Sequence, residues 1–138
     1  MYLSKALKTV DGKAHAMAEV FPWTTRMLKK RKAIGYRDIR ISGPCPFLKK
    51  GSVIKGHEFH YSEIVKTAGL TGAAVKQVYA FKCPDTGETL REGYLKESTL
   101  ASYVHMHFAS NPGFATGFVK RCLEFSIQTG KDGRALKN

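Results

Sequence analysis

The sequence predicts an α/β fold in which several β-strands lie between an N-terminal and a C-terminal helix. Apolar residues recur at helical spacing in both terminal segments, alternating or β-branched segments fill the interval, and turns containing glycine or proline separate them. Such β-rich material between two helices is unusual for an independent domain. The pattern therefore fits the second half of an α/β domain whose parallel core strands lie upstream.

The N-terminal segment, residues 1–10, is predicted to be a helix. Its apolar residues at positions 3, 6, 7 and 10 form a helical stripe that ends at the turn of Asp11 and Gly12. The next apolar segment, residues 16–22, is predicted to be a strand that Pro22 stops, because proline cannot donate to a sheet ladder. The basic run at residues 26–32 (RMLKKRK) has a spacing that on a helix is typical of a solvated face.

Strands are predicted in the centre of the chain wherever residues alternate or are rich in β-branched and aromatic types. They cover residues 37–42 (RDIRIS), the segment from Val53 through 56–65 (GHEFHYSEIV), residues 75–83 (VKQVYAFKC) and residues 92–95. Turns are predicted at residues 49–52 and at 84–88 (PDTGE), and the second of these joins two strands.

The C-terminal part of the chain is predicted to contain a last strand and a helix. Residues 101–110 (ASYVHMHFAS) alternate, and Asn111 is placed to cap a helix that has Pro112 at its first position. Residues 114–125 carry the apolar spacing of that helix. We expect one domain over residues 1–127, followed by a flexible polar tail at 128–138.

The composition limits the classes of function. A hydrophobic fraction of 43% argues against disorder, and the net charge of +12 with a pI near 9.8 favours an anionic partner. The basic run has no interleaved aromatic residues, and no helix-turn-helix or RNA-binding signature follows it, so no specific nucleic-acid partner is predicted. A polycarboxylate or a nucleotide suits this charge equally well. No apolar run is long enough for a membrane span and no signal peptide is recognisable, so a cytoplasmic protein without membrane contact is predicted.

The three cysteines argue against a disulfide framework and against a thiolate zinc site. Cys45, Cys83 and Cys122 are odd in number, far apart in sequence and without a CxxC pair. Cys45 and Cys83 neighbour prolines and are predicted to lie in loops. Cys122 falls in the apolar helical pattern and is predicted to be a small core residue.

Four of the five histidines occur in two groups, at residues 57 and 60 in GHEFHYS and at residues 105 and 107 in SYVHMHF. On strands, 105 and 107 would share a face, whereas 57 and 60 would lie on opposite faces. One hypothesis is a metal site that uses His57, Glu58, His60, His105 and His107. A second is that the imidazoles are hydrogen-bonded structural groups. A third is a general base at the end of a strand, where chemistry is often placed.

The two histidine segments in series, GHEFHYS and SYVHMHFASNPGFATGFV, resemble the C-terminal glutaminase domain of the cobyrinic acid a,c-diamide synthases of cobalamin biosynthesis. The intervening EGY and the earlier segments MAEVFPWTTRM and AIGYRD are similar as well, so the resemblance covers nearly the whole chain. It implies the C-terminal half of a flavodoxin-like, class I-like glutamine amidotransferase domain.

The resemblance also implies a reaction. In that family a cysteine attacks the glutamine amide, ammonia is released and the glutamyl thioester is hydrolysed. A separate N-terminal domain uses ATP and Mg²⁺ to phosphorylate the a- and c-carboxylates of the corrin precursor, and ammonia then displaces phosphate. The implied substrates of the intact enzyme are glutamine and a tetrapyrrole polycarboxylate. ATP and Mg²⁺ are expected on the N-terminal domain, and no cofactor or metal ion is expected on this chain.

The resemblance assigns roles residue by residue. His105 matches the histidine that activates the cysteine, and His107 is expected to support it from the same face. Ser102 and Tyr103 are expected to set the position of the strand. The segment that lines the same active-site region in the family is matched by Gly56, His57, Glu58 and His60.

The cysteine nucleophile itself is not matched. In the family it lies in a segment like ECGGxMYL, and this chain starts with Met1, Tyr2 and Leu3. None of the three cysteines occupies the matching position. We therefore expect the chain alone to be inactive, as a truncated reading frame or as one piece of a split protein whose N-terminal half is a separate chain. Sirohydrochlorin- or sirohaem-amidating relatives, a non-catalytic basic binding module and a small metal protein remain alternatives.

Overall fold

The computed structural model describes residues 1–65, 74–84 and 86–129, which form two β-sheets and a C-terminal helix. The elements are β1 (Ser4–Lys8), β2 (Ala14–Ala16), β3 (Phe21–Met27), β4 (Ala33–Ile41), β5 (Val53–His60), β6 (Ser62–Ile64), β7 (Lys76–Lys82), β8 (Thr89–Lys96), β9 (Thr99–Ala101), β10 (Val104–Met106), a 3₁₀ turn (Phe108–Ser110) and α1 (Pro112–Gln128). The predicted class, α/β and rich in strands with a C-terminal helix, is confirmed.

The two sheets have different strand arrangements. The smaller sheet has the order β2-β1-β3-β6, and the larger one has the order β10-β5-β4-β7-β8-β9. Among the described strands, β1 and β3 form the single parallel pair, and every other pairing is antiparallel. Strand β10 therefore lies at an edge of the larger sheet, where it contacts β5.

The larger sheet has one buried and one exposed face over β4, β5 and β10. On the inner face, Ile39, Ile54 and Val104 are at most 3% exposed and pack in one core cluster with Phe114 of α1. The residues that alternate with them lie on the outer face, and most of these are exposed. This alternation matches the period of two that a half-buried strand requires.

The prediction of an N-terminal helix is wrong. Residues Ser4–Lys8 form β1, which pairs with β2 at Ala6 and Ala16 and with β3 at Ala6 and Thr24. The apolar stripe is too short to bury a helical face, and strand pairing on both sides satisfies the backbone of β1 instead. Pairing with β3, which is more than ten residues away in the sequence, therefore outweighs the helical spacing of the apolar residues in this segment.

The strand predicted at residues 16–22 is also wrong in its limits. Strand β2 ends at Ala16, and Pro22 is the second residue of β3 rather than a stop. The register between β1 and β3 is irregular between Ser4 and Ala6, and Pro22 is exposed. A proline is tolerated at a strand position whose backbone N–H is not required for a hydrogen bond to the neighbouring strand.

The basic run at residues 26–32 is not helical. Arg26 belongs to β3, and Lys29, Lys30 and Arg31 are exposed in the connection to β4. Arg26 and Lys32 both pair with Glu63 of β6. Solvated surface pairs of this kind contribute little to stability, so this run adds mainly positive potential.

The central strand predictions are confirmed for β4, β7 and β8. The strand predicted from Val53 to residue 65 is divided into β5 and β6, which belong to different sheets. The turn predicted at residues 49–52 lies between β4 and β5, and the described residues 84 and 86–88 of the second predicted turn lie between β7 and β8. The last predicted strand, residues 101–110, is also divided. Ser102 Oγ accepts from Val104 N (2.8 Å) and donates to Val104 O (2.9 Å), which bends the chain between β9 and β10.

The predicted start of the C-terminal helix is confirmed. Asn111 accepts a hydrogen bond from Gly113 N at 3.1 Å, and Pro112 is the first residue of α1. Cys122 is exposed on this helix, so the prediction that it is a core residue is wrong. It lines an open cavity with Phe47 and Phe118 two turns beyond the buried Phe114, where the described residues do not cover it. Helix α1 ends at Gln128, one residue into the predicted tail, and residues 130–138 lie outside the described residues.

Candidate active site

A row of three ring side chains crosses the outer face of the larger sheet. His105 of β10 lies directly opposite His57 of β5, and His57 lies opposite Tyr36 of β4. The rings of Tyr36 and His57 meet edge to face with centroids 5.4 Å apart. Tyr36 is 84% exposed and His105 is exposed as well. We call these three residues the histidine row, and it is open to a ligand or to another protein segment.

His107 lies one residue beyond β10 and begins the 3₁₀ turn. Its backbone N–H donates to Lys55 O at 2.8 Å, and its carbonyl accepts from the hydroxyl of Ser110 at 2.7 Å. Ser110 Oγ in turn accepts from Lys55 N at 2.9 Å. The backbone of His107 thus fastens the C-terminal end of β10 to β5, while its ring is exposed.

Gly56 lets β10 approach β5 closely. A Cβ atom at this position would lie 2.5 Å from Val104 Cγ1 and 2.9 Å from the carbonyl oxygen of His105. Both distances are below normal contact, so a side chain here would push β10 away from β5. The contribution of Gly56 is therefore the spacing of the two strands that carry His57 and His105.

Glu58 and His60 lie on the inner face, opposite to the histidine row. Arg37 Nε donates to Glu58 Oε2 at 2.8 Å, and His60 Nε2 lies 2.8 Å from Glu58 Oε1. The side chains of Arg37, Glu58 and His60 are only 6%, 10% and 11% exposed. Burial by itself raises the pKa of Glu58, but the hydrogen bond from His60 and the charge of Arg37 outweigh it and hold that pKa below its usual value.

Tyr103 continues this inner network towards the smaller sheet. Its ring stacks on His60 with centroids 4.0 Å apart and planes 17° apart. Ser62 of β6 donates from its hydroxyl to the Tyr103 hydroxyl at 3.0 Å, and the Ser62 carbonyl oxygen lies 2.7 Å from His60 Nδ1. One tyrosine therefore connects β6 of the smaller sheet with β5 of the larger one.

Glu92 of β8 fixes the backbone of Tyr103 from the other side. Glu92 Oε1 accepts from Tyr103 N at 2.5 Å, and Oε2 accepts from the Tyr79 hydroxyl at 3.2 Å. Tyr79 also hydrogen-bonds to Ser102 Oγ. Burial raises the pKa of Glu92 to about 7, and the negative charge of Glu58 acts in the same direction. We call the connected set the inner polar cluster, and its members are Arg37, Glu58, His60, Ser62, Tyr79, Glu92, Ser102 and Tyr103.

The structure thus separates residues that the sequence placed together. It brings His57 to His105, adds Tyr36, and moves Glu58 and His60 to the other face. The expectation that Ser102 and Tyr103 set the strand position agrees with their hydrogen bonds. Tyr36, Arg37 and Glu92 were not singled out by sequence, although Arg37 shares the alternation of the apolar residues 39 and 41, and a charged residue at a core position of a strand is a usable signal.

The proposed metal site does not form as a unit. His57 and His105 lie on the outer face, whereas Glu58 and His60 lie on the inner one. Within residues 1–65, 74–84 and 86–129, no group of three or more His, Cys, Asp or Glu side chains is arranged to hold a metal ion. None of the helices in this part of the chain is long and apolar enough to cross a membrane.

A cavity of about 260 Å³ lies between the two sheets beside Tyr103. Its walls include Met1, Thr25 and Trp23 from the smaller sheet's side and Glu92 and Tyr103 from the inner polar cluster. Met1 is therefore close to the bend that precedes β10.

Comparison with known proteins finds matches that cover most of the chain. The family model described as the CobB/CobQ-like glutamine amidotransferase domain matches residues 1–113. Cobyrinate a,c-diamide synthase from Syntrophotalea carbinolica is 40% identical over 88% of this chain and 26% of the relative. The enzymes of the same name from Leptospira interrogans and Archaeoglobus fulgidus are each 38% identical, over 89% and 90% of this chain and 26% of each relative. The chain thus spans 26% of the length of these three relatives.

Proposed function

The chain belongs to the family of CobB/CobQ-like glutamine amidotransferase domains, and on this premise we propose that it is the C-terminal part of a glutamine- and ATP-dependent enzyme. The reaction is the conversion of the a- and c-acetate carboxylates of a cobyrinate-type tetrapyrrole to amides. The family match over residues 1–113 carries this proposal, and the exposed histidine row gives it a site.

His105 is the general base in this proposal. It lies on an edge strand, its ring is exposed on the outer face, and its nearest partner across the ladder is another imidazole, His57. An exposed imidazole can change its protonation state near neutral pH, which the reaction requires of a base. His57 orients His105 from the neighbouring strand, and His107 supports the end of β10.

The chemistry assigned to His105 has two halves, each with one proton accepted and one proton returned. His105 accepts the proton of a cysteine thiol as the thiolate attacks the side-chain amide carbon of glutamine, and it then donates this proton to the leaving nitrogen, which departs as ammonia. In the second half, His105 accepts a proton from the water that attacks the glutamyl thioester, the carbon–sulfur bond breaks, and the proton returns to the cysteine sulfur. Ammonia and glutamate are the products.

We assign the cysteine to a segment upstream of Met1. Cys45 packs against the core on the inner face, and Cys122 lies on α1, the helix that packs on that inner face through Phe114. Cys83 follows β7, which is separated from β10 by β5 and β4. The proposal therefore requires that this upstream segment supply the nucleophile.

ATP and Mg²⁺ are assigned to the upstream part as well. ATP would supply the phosphoryl group that activates each acetate carboxylate for attack by ammonia. The residues that the structure describes form no three-membered group suited to Mg²⁺, so no step of this reaction is assigned to a metal on this chain. The positive charge of the chain suits a polycarboxylate substrate.

Glutaminase activity of an assembled enzyme tests this proposal. The chain is mixed with, or fused to, an upstream family segment that ends in the cysteine and two glycines, and glutamate release is measured. We expect activity in the assembly, none with the chain alone, and a loss of about 10²- to 10⁴-fold with His105→Ala. His15→Ala is the matched control, because His15 is an exposed histidine on β2 of the smaller sheet.

The outcome separates the proposal from its alternatives. An assembly that is folded and active, yet equally active with His105→Ala, would show that His105 is not the base. A folded assembly without any glutaminase activity would contradict the amidotransferase function for this chain.

A further inference from the structure

Both ring nitrogens of His60 face oxygen atoms that can only accept hydrogen bonds. Nδ1 lies 2.7 Å from the carbonyl oxygen of Ser62, and Nε2 lies 2.8 Å from Glu58 Oε1. A carbonyl has no proton to give. Glu58 is ionised at neutral pH, because its pKa is held below the ordinary value despite its burial. A neutral imidazole would direct a lone pair at one of these oxygens, whereas an imidazolium donates a hydrogen bond to both.

We propose that His60 is a buried imidazolium that positions the catalytic base by clamping Tyr103, two residues before His105. The inference rests on the proposed function of His105 as the base. It gives the second histidine of GHEFHYS a role on the face of the sheet opposite to the chemistry. His60 and Tyr103 are positioning residues, since neither is placed to touch the glutamine.

The charges around His60 support a positive ring. Arg37 of β4 and Glu58 of β5 form an ion pair at 2.8 Å, and Glu58 turns its second oxygen to His60. Glu92 of β8 belongs to the same cluster, and its electrostatic interaction with His60 lowers the pKa of Glu92. The Tyr103 ring covers the imidazole at 4.0 Å and 17°, and a cation is attracted to the face of an aromatic ring.

Tyr103 is held at three points. Its ring is stacked on His60, its hydroxyl accepts from Ser62 Oγ at 3.0 Å, and its N–H donates to Glu92 Oε1 at 2.5 Å. Three anchors on three different elements leave this residue little freedom. The sequence places Tyr103 at the bend that leads into β10, so its position fixes where β10 begins.

Strand β10 needs such an anchor because it is short and lies at an edge. It contains three residues, and β5 is its partner among the described strands. The bond from His107 N to Lys55 O fastens one end, and Tyr103 fastens the other. A shift of Tyr103 would move His105 relative to an attacking thiol, and misplacement by about 1 Å is enough to lower a rate by about 10²-fold.

The protonation state of His60 is measurable on the full chain by NMR. Long-range ¹H–¹⁵N spectra of the histidine rings are recorded at about pH 8, where an unperturbed imidazole is almost entirely neutral. The His60 signals are assigned by their loss in His60→Gln. We expect both ring nitrogens of His60 to have imidazolium shifts. A His60 ring with one unprotonated nitrogen at this pH would overturn the inference.

Positioning is measured in the glutamine-hydrolysing assembly. We expect His60→Gln and Tyr103→Leu each to lower kcat by about 10- to 100-fold while KM for glutamine changes by less than about twofold. Tyr103→Phe keeps the stacked ring and should recover most of the lost kcat. Tyr103→Leu leaves Glu58 paired with His60, so it serves if His60→Gln does not fold. His15→Gln is the control that should leave kcat unchanged.

The two proposals fail in different ways. If His105→Ala abolishes activity while His60→Gln and Tyr103→Leu retain the wild-type kcat, the positioning role is wrong and the proposed function stands. If His105→Ala remains active, the assignment of His105 as the base fails and the positioning role fails with it, and if the folded assembly has no glutaminase activity at all, the proposed function itself fails. A rise in KM with kcat unchanged in Tyr103→Leu would also contradict positioning, because it would indicate a direct role in glutamine binding.

Discussion

The two faces of β5 differ in burial, partners and freedom, although their residues alternate within one segment, GHEFHYS. On the outer face, His57 meets Tyr36 and His105 in an exposed row. On the inner face, Glu58 and His60 are buried and joined to charged or aromatic partners. Histidines three residues apart in the sequence therefore have opposite environments.

This difference teaches how one motif can serve both chemistry and stability. A buried charge is tolerated only where paired groups replace the water it has lost, so the inner residues are fixed in one arrangement. An exposed imidazole keeps its water and can gain or lose a proton, which suits a base. The period of two in a strand assigns the two tasks to opposite sides without any insertion between them.

The largest expected effect is that of Arg37→Ala on the inner face. Removing the guanidinium takes the closest cation from buried Glu58, and breaking one partner of a buried pair costs about 3–5 kcal/mol of unfolding free energy. Urea denaturation of the full chain measures this loss. Arg40→Ala, an exposed outer-face change on the same strand, should stay within about 0.5 kcal/mol. Equal effects of the two variants would contradict the comparison of the faces.

The next effect is a dependence of stability on pH through Glu92. Its pKa is raised from 4.5 to about 7 in the folded chain. Between these values the folded state keeps a proton that the unfolded state has released, so stability falls as pH rises, by up to about 3 kcal/mol in total. Glu92→Gln should remove this fall, which denaturation from about pH 4.5 to about pH 8 would reveal.

Glu63→Gln is the control for this experiment. The hydrogen bond from Arg26 lowers the pKa of Glu63 in the folded chain, so this carboxyl causes no loss of stability as pH rises. The fall of stability with pH should therefore persist in Glu63→Gln. A fall that is as steep in Glu92→Gln as in the wild type would show that another group is responsible.

A smaller effect is expected for Gly56→Ala, which tests the close approach of β10 to β5. The new methyl group would overlap Val104 Cγ1, and overpacking of this kind costs about 1–3 kcal/mol. Amide chemical shifts of Val104 and His105 should move with it, because β10 is displaced. Gly12→Ala strains a glycine at φ +88° in open space. It should cost about 1 kcal/mol and leave the shifts of β10 unchanged.

The smallest effect is expected for His57→Ala on the outer face. This change removes the edge-to-face contact with Tyr36, which is worth about 0.5–1 kcal/mol of unfolding free energy. His60→Ala on the same strand should cost several times more, because it leaves the buried Glu58 with one partner fewer. Thermal unfolding of both variants measures these losses of stability. Similar losses would contradict the difference between the two faces.

Much of the fold could be predicted from short segments of the sequence. Alternation located β4, a content of β-branched and aromatic residues located β5 and β7 with β8 after the turn, and the pair Asn111 and Pro112 located the start of α1. These features depend on residues that lie close together in the sequence. The N-terminal segment was missed because its pairing with β3 is not encoded in its own spacing.

Part of the candidate site could also be predicted. The two histidine motifs were identified, and the alternation placed residues 57 and 60 on opposite faces, as the structure has them. Arg37 and Glu92 were missed because they are single charged residues on distant strands that meet Glu58 and Tyr103 only after folding.

The sequence by itself determined the family, most strands, the capped helix and the residues capable of proton transfer. Tertiary structure decided which of them meet. It paired His105 with His57, brought Arg37 to Glu58 and placed Tyr103 between His60 and Glu92. Local patterns follow from neighbours along the chain, whereas register and burial follow from distant segments, and a shift of one residue exchanges the faces of a strand. That is why the histidine row and the inner polar cluster became distinguishable only in three dimensions.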